Sequence, residues 1–328
     1  MFCGRVSGVK AGAKGIRERH NVADRRYTGS VNRRHFLALG TAAALPAQTP
    51  SPRFIKSICS IMFPSQMPVT EKFRQAKNAG FEAIELRYGE EISPSLSADE
   101  VKRIGDAAHE TGLQIASMWM GGPFRSNPIN SPDPAVRAKS LEGLKQGLEC
   151  AKHLNCGATL LYLCRLGDGP KLQFGYEDTW NRVTEEMPKA IPWAEETKVC
   201  LTVENVWNKF ILSPMEMRTF LDQFHSPWMQ SHFDVGNVMQ YGYPQDWILT
   251  LGPRIKRVHL KDYKLSARYE QGKFADLLEG DVDWKAVMAA FVKVGYRGFM
   301  SPEIGHDPND PDKPRKVSEA FDKILAMA

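Results

Sequence analysis

Four short apolar runs in the second half of the chain each end on a residue that can ligate a cation. They are Glu204 in Leu201-Thr202-Val203-Glu204-Asn205, Asp234 in His232-Phe233-Asp234-Val235-Gly236-Asn237, His259 in Val258-His259-Leu260-Lys261-Asp262, and Glu303 in Ser301-Pro302-Glu303-Ile304. A charged group among apolar strand residues is costly to bury unless it is paired or binds a metal. Singly, each has a plain structural explanation: Glu204 capping a loop, Asp234 capping a turn, His259 hydrogen-bonded in a core, Glu303 paired with Arg297. Together, three carboxylates and an imidazole would repel one another without a cation. An oxygen-rich set with one nitrogen favours Mn²⁺, Mg²⁺ or Co²⁺, and Zn²⁺ is also compatible, because the affinity order alone does not set occupancy. No thiolate stands at these positions, which argues against a structural zinc.

The elements that must position these residues repeat one unit from Ile55 onward: a short β-branched or apolar run, a polar loop, then a stretch of helical periodicity. Strands are predicted at 55–62, 82–87, 114–120, 159–164, 200–205, 230–235, 255–260 and 298–304. Helices are predicted near 70–79, 97–111, 133–154, 178–197, 213–224, 244–251, 283–294 and 313–327. Gly80, Gly112, Gly157 and Gly295 stand where helices should stop, Thr70, Ser97 and Ser213 fit N-caps, and Pro214 suits a first helical position. Strict alternation over eight units predicts an α/β fold, a single (β/α)8 barrel spanning residues 53–328. An open doubly wound sheet would carry a glycine-rich phosphate turn after its first strand, and Ser60-Ile61-Met62-Phe63-Pro64 has none. Barrel enzymes work at the C-terminal ends of their strands, which is where strands five to eight place the four candidate ligands.

Weaker candidates share that end. Lys261 lies on the strand face of His259 and can polarise a substrate oxygen or be solvated. Trp119, ahead of Gly121-Gly122, can stack on a ligand face or pack in the core. Glu85 can bond a substrate hydroxyl or pair with Arg87. His232 reads as a satisfied core histidine one layer below Asp234, and His306 falls in a loop.

The net charge of +5 sits in a leader: residues 1–34 hold nine Lys/Arg against Glu18 and Asp24, a net +7 that leaves −2 for the rest. A near-neutral body gives no case for nucleic acid. Arg33-Arg34-His35-Phe36-Leu37, the apolar stretch to Ala44 and Leu45-Pro46-Ala47 read as a twin-arginine export signal over residues 1–47, cleaved near Ala47. The protein is thus expected to meet the twin-arginine machinery and work in the periplasm or outside the cell. The apolar run is about half of the roughly 20 residues a membrane span needs. Val31 before Asn32-Arg33-Arg34 suggests that translation starts at position 31. Five cysteines beyond the leader, an odd number without a CxxC pair, argue against a disulfide framework.

The chain resembles the xylose isomerase-like TIM barrels, the sugar phosphate isomerase/epimerase or AP endonuclease 2 superfamily, over roughly residues 55–327. The resemblance rests on Gly80-Phe81-Glu82-Ala83-Ile84-Glu85-Leu86, Val203-Glu204-Asn205, Phe233-Asp234-Val235-Gly236-Asn237, Val258-His259-Leu260-Lys261-Asp262, Gly280-Asp281-Val282-Asp283-Trp284, and Gly295-Tyr296-Arg297-Gly298 leading to Glu303. In the ketose 3-epimerases of that superfamily, residues matching Glu204, Asp234, His259 and Glu303 bind one metal, and the two glutamates exchange the proton. Those epimerases usually carry a histidine three residues after the aspartate; Asn237 stands there instead and is expected to face the substrate differently. The DNA-repair branch needs extra histidines, whereas strands two and three here end in Arg87 and Trp119.

The resemblance implies a metal-dependent sugar isomerase or epimerase acting through an enediolate, with Glu204 and Glu303 catalytic and Glu85, Trp119, Asn237 and Lys261 toward the substrate. A sugar or sugar derivative without phosphate is the ligand expected outside the cytoplasm. Two alternatives stand: a lyase or hydratase on 3-keto-glycosides, and a sugar-binding barrel without turnover. A homo-oligomer is compatible with the sequence.

Overall fold

The computed structural model describes residues 54–168, 170–266 and 272–328. Residues 1–47 and the cleavage and start sites read from them lie outside that range. Eight strands, β1 (Phe54–Cys59), β2 (Ala83–Arg87), β3 (Gln114–Trp119), β4 (Ala158–Leu161), β5 (Cys200–Glu204), β6 (Met229–Asp234), β7 (Ile255–Leu260) and β8 (Gly298–Pro302), pair in parallel and close into a barrel. Closure is made by β8 against β1, with Phe54 opposite Gly298 and Lys56 opposite Met300. The helix following each strand covers it: α1 (Val69–Asn78), α2 (Ala98–Glu110), α3 (Pro134–His153), α4 (Tyr176–Glu186), α5 (Pro214–Asp222), α6 (Pro244–Leu251), α7 (Trp284–Lys293) and α8 (Lys313–Leu325). Phe73, Phe220, Phe291 and Phe321 on these helices are fully buried, each contributing about 1.5–3 kcal/mol. No described helix is long and apolar enough to cross a membrane.

The expected helix ends hold where the backbone demands them. Gly80, Gly112 and Gly295 adopt positive φ, the left-handed conformation that favours glycine after a helix. At Gly157 the expectation fails, because Asn155 takes the left-handed position after α3. Ser97 makes a full capping box with Glu100, and Ser213 caps α5 by accepting from Glu216 N–H. Thr70 is not a cap: Pro68 precedes the first turn of α1. The segment predicted as one helix at 178–197 is broken by a 3-10 turn at Met187–Lys189, where Pro188 cannot donate to the helical ladder. β4 ends at Leu161 rather than Cys164, because Leu166 N–H and Asn208 Nδ2 draw the departing chain toward the loop after β5.

The barrel interior is polar in tiers. At the bottom, Arg257 donates from Nε to the carbonyl of Ala116 at 2.6 Å. Above it lie His232, Glu85 and Thr202, all buried, and above them the carboxylates at the mouth. Strand alternation stacks Thr202 under Glu204, His232 under Asp234, and Arg257 under His259. The register shifts just before Glu85 in β2 and just before His232 in β6; such irregularities re-aim side chains and recur beside functional sites.

Candidate active site

Three backbone devices fix the ligands of the mouth. The Asn205 side chain pairs with the backbone of Asp234 in both directions, Nδ2 donating to its carbonyl and Oδ1 accepting its N–H, each at 2.8 Å. Asp234 uses Oδ1 to cap the turn that follows, accepting from Asn237 N–H at 2.7 Å, and keeps Oδ2 for the site. That turn presses so closely on β7 that a Cβ at Gly236 would lie 2.5 Å from Lys261 Cβ. Asp262, fully buried, collects N–H groups from Tyr263, Leu278, Val282 and the Trp284 indole. It folds the segment after β7 back on itself and accounts for the Gly280-to-Trp284 motif, since a Cβ at Gly280 would strike its Oδ1 at 2.0 Å.

Glu204, Asp234, His259 and Glu303 each offer an atom within 4.8 Å of the others. His259 Nδ1 is 3.1 Å from Glu303 Oε2, 3.6 Å from Glu204 Oε1 and 3.9 Å from Asp234 Oδ2. Lys261 Nζ is 3.0 Å from Asp234 Oδ2 and 2.5 Å from Glu303 Oε2. Asp234 Oδ2, His259 Nδ1 and Glu303 Oε2 are buried with no side-chain hydrogen bond assigned to them, and Lys261 meets the two carboxylates as an ion pair. Three carboxylates and an imidazole that converge while buried, with the Lys261 ammonium beside two of them, fit a divalent cation.

The far side of His259 is also fixed. Its Nε2 lies 3.1 and 3.2 Å from the Glu85 oxygens and 3.5 Å from Cys59 Sγ, while Ser117 Oγ donates to Glu85 at 2.5 Å. A carboxylate only accepts, so Nε2 carries the hydrogen and Nδ1 is left to face the acids. Glu85 therefore holds His259 and not Arg87, whose partners are Glu90 and Glu91. His232 packs edge-on against His259, the ring centroids 4.2 Å apart. It corrects the satisfied-core reading: Nδ1 reaches Thr202 Oγ1 at 3.5 Å, but Nε2 has no hydrogen-bond partner and lies 4.0 Å from Glu85. Burial, reinforced by the charges of His259, Arg257 and Lys261, holds His232 well below the ordinary histidine range and hence neutral.

The acids themselves are driven apart. Burial, with the charge of Glu303, raises the Glu204 carboxyl to about 7 against the pull of His259 and Lys261. Burial resists ionisation of Glu303 too, but Lys261 and His259 prevail and hold it well below the usual carboxylate range. Asp234 is raised by burial. Burial also disfavours charge on His259, yet Cys59, Glu85 and Glu303 raise its proton affinity well above that of an ordinary histidine.

A cavity of about 310 Å³ opens beside this cluster. Glu204 and Glu303 line it, while Asp234 and His259 sit behind them. Of the expected substrate contacts, Glu85, Trp119 and Lys261 line it and Asn237 does not. Asn237 is 2% exposed and committed to Asp234, to the Asn205 carbonyl at 3.0 Å and to Glu204 at 3.5 Å; it braces the ligands. Lys261 is not a solvated surface lysine. Its ammonium lies on Asp234 and Glu303 with the Phe274 ring over it at 5.3 Å. His306 belongs to a separate groove beside Met62 and Asp310. The sequence reading missed Cys59, Arg125, Tyr162, Arg165 and Trp207 on the cavity wall. Their signal was position: Arg87, Arg125 and Arg165 fall at or shortly after the ends of β2, β3 and β4.

Residues 73–325 match the xylose isomerase-like TIM barrel family. The chain belongs to that family. It is 26% identical over 262 residues to the L-ribulose-5-phosphate 3-epimerase of Escherichia coli O1:K1 / APEC, covering 78% of this chain and 88% of that one. Its fold is that of the D-psicose 3-epimerase solved in the presence of D-fructose, with a TM-score of 0.70 at 16% identity over 84% of this chain and all of that one. It is equally that of an L-ribulose 3-epimerase, with a TM-score of 0.66 at 21% identity over 83% and 93% of the two chains. All three of these relatives are sugar epimerases.

Proposed function

We propose that the protein is a divalent-metal-dependent sugar isomerase or epimerase that moves a proton at the carbon beside a ketose carbonyl. The observation that carries this reading is the split within the four-residue cluster. All four residues converge on one point, but only Glu204 and Glu303 also have surface on the cavity. Glu204, Asp234, His259 and Glu303 would hold the ion, with Mn²⁺, Mg²⁺ or Co²⁺ suited to the oxygen-rich set and Zn²⁺ compatible. When bound, such an ion supplies positive charge that favours the enediolate form of an α-hydroxy ketone. The protein's own groups do the rest. Glu204, from β5, and Glu303, just past β8, flank the cavity as two carboxylates able to take and return a proton, as the two glutamates do in the family's ketose 3-epimerases. Glu85 keeps His259 in the tautomer that presents Nδ1, and Asn237 steadies Asp234 and Glu204. Lys261 neutralises Asp234 and Glu303. The leader adds a proposed site of action, the periplasm or beyond, reached by twin-arginine export.

Proton NMR in D2O with Mn²⁺- or Co²⁺-loaded protein and a panel of ketoses tests the reaction. Deuterium should enter the carbon beside the carbonyl and fail to do so in Glu303→Gln. An eliminated product from 3-keto-glycosides would instead establish the lyase. No exchange with any sugar by protein that holds its metal would overturn the reading.

A further inference from the structure

A second cavity, of about 420 Å³, opens at the other end of the barrel. Gln114 at the start of β3, Gly157 just before β4, Arg257 in β7 and Phe299 in β8 line it, with His109 near the end of α2 and His153 closing α3. Strand starts and helix ends share the face opposite to the mouth that holds Glu204 and Glu303. Arg257 is 7% exposed, and among the described residues no ion pair involves it. The one acid on the cavity wall, Asp106, is already paired with Lys102 at 2.7 Å. A guanidinium has five N–H donors. Arg257 uses Nε on the Ala116 carbonyl at 2.6 Å and Nη1 on the Lys256 carbonyl at 2.9 Å, with the Phe299 ring 4.8 Å from its guanidinium carbon. Among the described residues Nη2 has no acceptor. Beside it stands Gly157, where a Cβ would lie 3.7 Å from Nη2. The left-handed position at the end of α3 is taken by Asn155, so the backbone does not call for glycine at 157. What the missing side chain does is leave the approach to Nη2 open.

We infer that Arg257 anchors an oxyanion site on the N-terminal face of the barrel, which takes a small molecule bearing a carboxylate or a phosphate group. A buried cation without a counterion is costly, and an arginine cannot relieve that cost by giving up its proton. An oxyanion on Nη2 relieves it, with charge-assisted hydrogen bonds that are about twice as strong as neutral ones. The two carbonyls and the Phe299 ring hold the guanidinium in place before the ligand arrives. Gln114, His109 and His153 line the same cavity and offer polar groups to the rest of the ligand. Its volume falls in the range of small-molecule sites. This site is independent of the isomerase reading: Arg257 lies two residues before His259 on β7 and on the far side of the barrel from the sugar.

Calorimetric titration of the full chain with inorganic phosphate and with succinate tests it, on wild type, Arg257→Lys, Gly157→Leu and Asp234→Asn. One equivalent of either anion should bind wild type and Asp234→Asn alike, and the tighter of the two names the class. Arg257→Lys should weaken binding at least about tenfold, the size of a lost charge-assisted bond. Gly157→Leu should do the same while leaving the arginine and its carbonyl partners in place, so it carries the test if the buried substitution does not fold; thermal unfolding in anion-free buffer establishes that each variant is folded. No binding of either anion by wild type, or unchanged binding in folded Gly157→Leu, overturns the inference. So does binding that is lost in Asp234→Asn but kept in Arg257→Lys, because that anion sits at the metal centre.

Discussion

Strands β5 to β8 bring three acids and a histidine to the barrel mouth, with the backbone of Asp234 anchored twice by Asn205, whereas the segments after β3 and β4 carry exposed guanidiniums, Arg125 between two ring faces and Arg165 on the Tyr162 hydroxyl. In the acid half three of the four candidate ligands have a second group behind them: Asn205 and Asn237 for Asp234, Glu85 for His259, Asn237 for Glu204. In the basic half the equivalent support is Trp119 and Tyr162. The difference suits the metal site proposed for the acid half. A small divalent ion tolerates little misplacement of its ligands and needs them dehydrated.

The comparison breaks most visibly at Lys261, where the acid half carries its own resident cation. Lys261→Met removes the partner of buried Asp234 and should destabilise the metal-free protein by about 3–5 kcal/mol. Urea unfolding should show most of that loss recovered with saturating Mn²⁺. An equal loss with and without metal would mean that the lysine and the ion do not share the same oxygens. Glu85→Gln leaves every ligand in place but relaxes the imidazole, and should weaken Mn²⁺ binding by about 10–100-fold, measured by calorimetry. Unchanged affinity would make Glu85 a packing residue. Arg125→Gln lies at the other extreme: the basic half has no structural duty, so unfolding free energy should move by less than about 0.5 kcal/mol and Mn²⁺ affinity not at all. A larger loss would show that the guanidinium braces the wall.

The same contrast explains what the sequence made legible. The acid half could be read because its residues terminate strands, and strands announce themselves as apolar runs; β7 was placed residue for residue at Ile255–Leu260. Their supports were misread. Asn237 is expected toward the substrate because the family's ketose 3-epimerases carry a histidine at that position, while its side chain turns back to the Asn205 carbonyl. For Glu85 the sequence offers a substrate hydroxyl or its neighbour Arg87; it lines the cavity, and its side-chain partner His259 is 174 residues away, reached only across the closed barrel. The basic half escaped notice because Arg125 lies in a helix of only six residues, Gly121–Ser126, and Arg165 in a loop, neither long enough for a periodicity that assigns a direction to a side chain. What pairs Arg125 with Trp119 is the absence of a side chain at Gly121, a steric fact visible only once the turn is built.

The most direct test of the account is electron paramagnetic resonance of Mn²⁺ added to the full chain, with wild type, Asp234→Asn and Arg125→Gln compared. One tightly bound Mn²⁺ per chain should appear in wild type and Arg125→Gln, and be lost in Asp234→Asn, placing the ion in the acid half alone. Undiminished Mn²⁺ binding in Asp234→Asn, or no tight site in wild type, would contradict the metal centre on which the proposed chemistry stands.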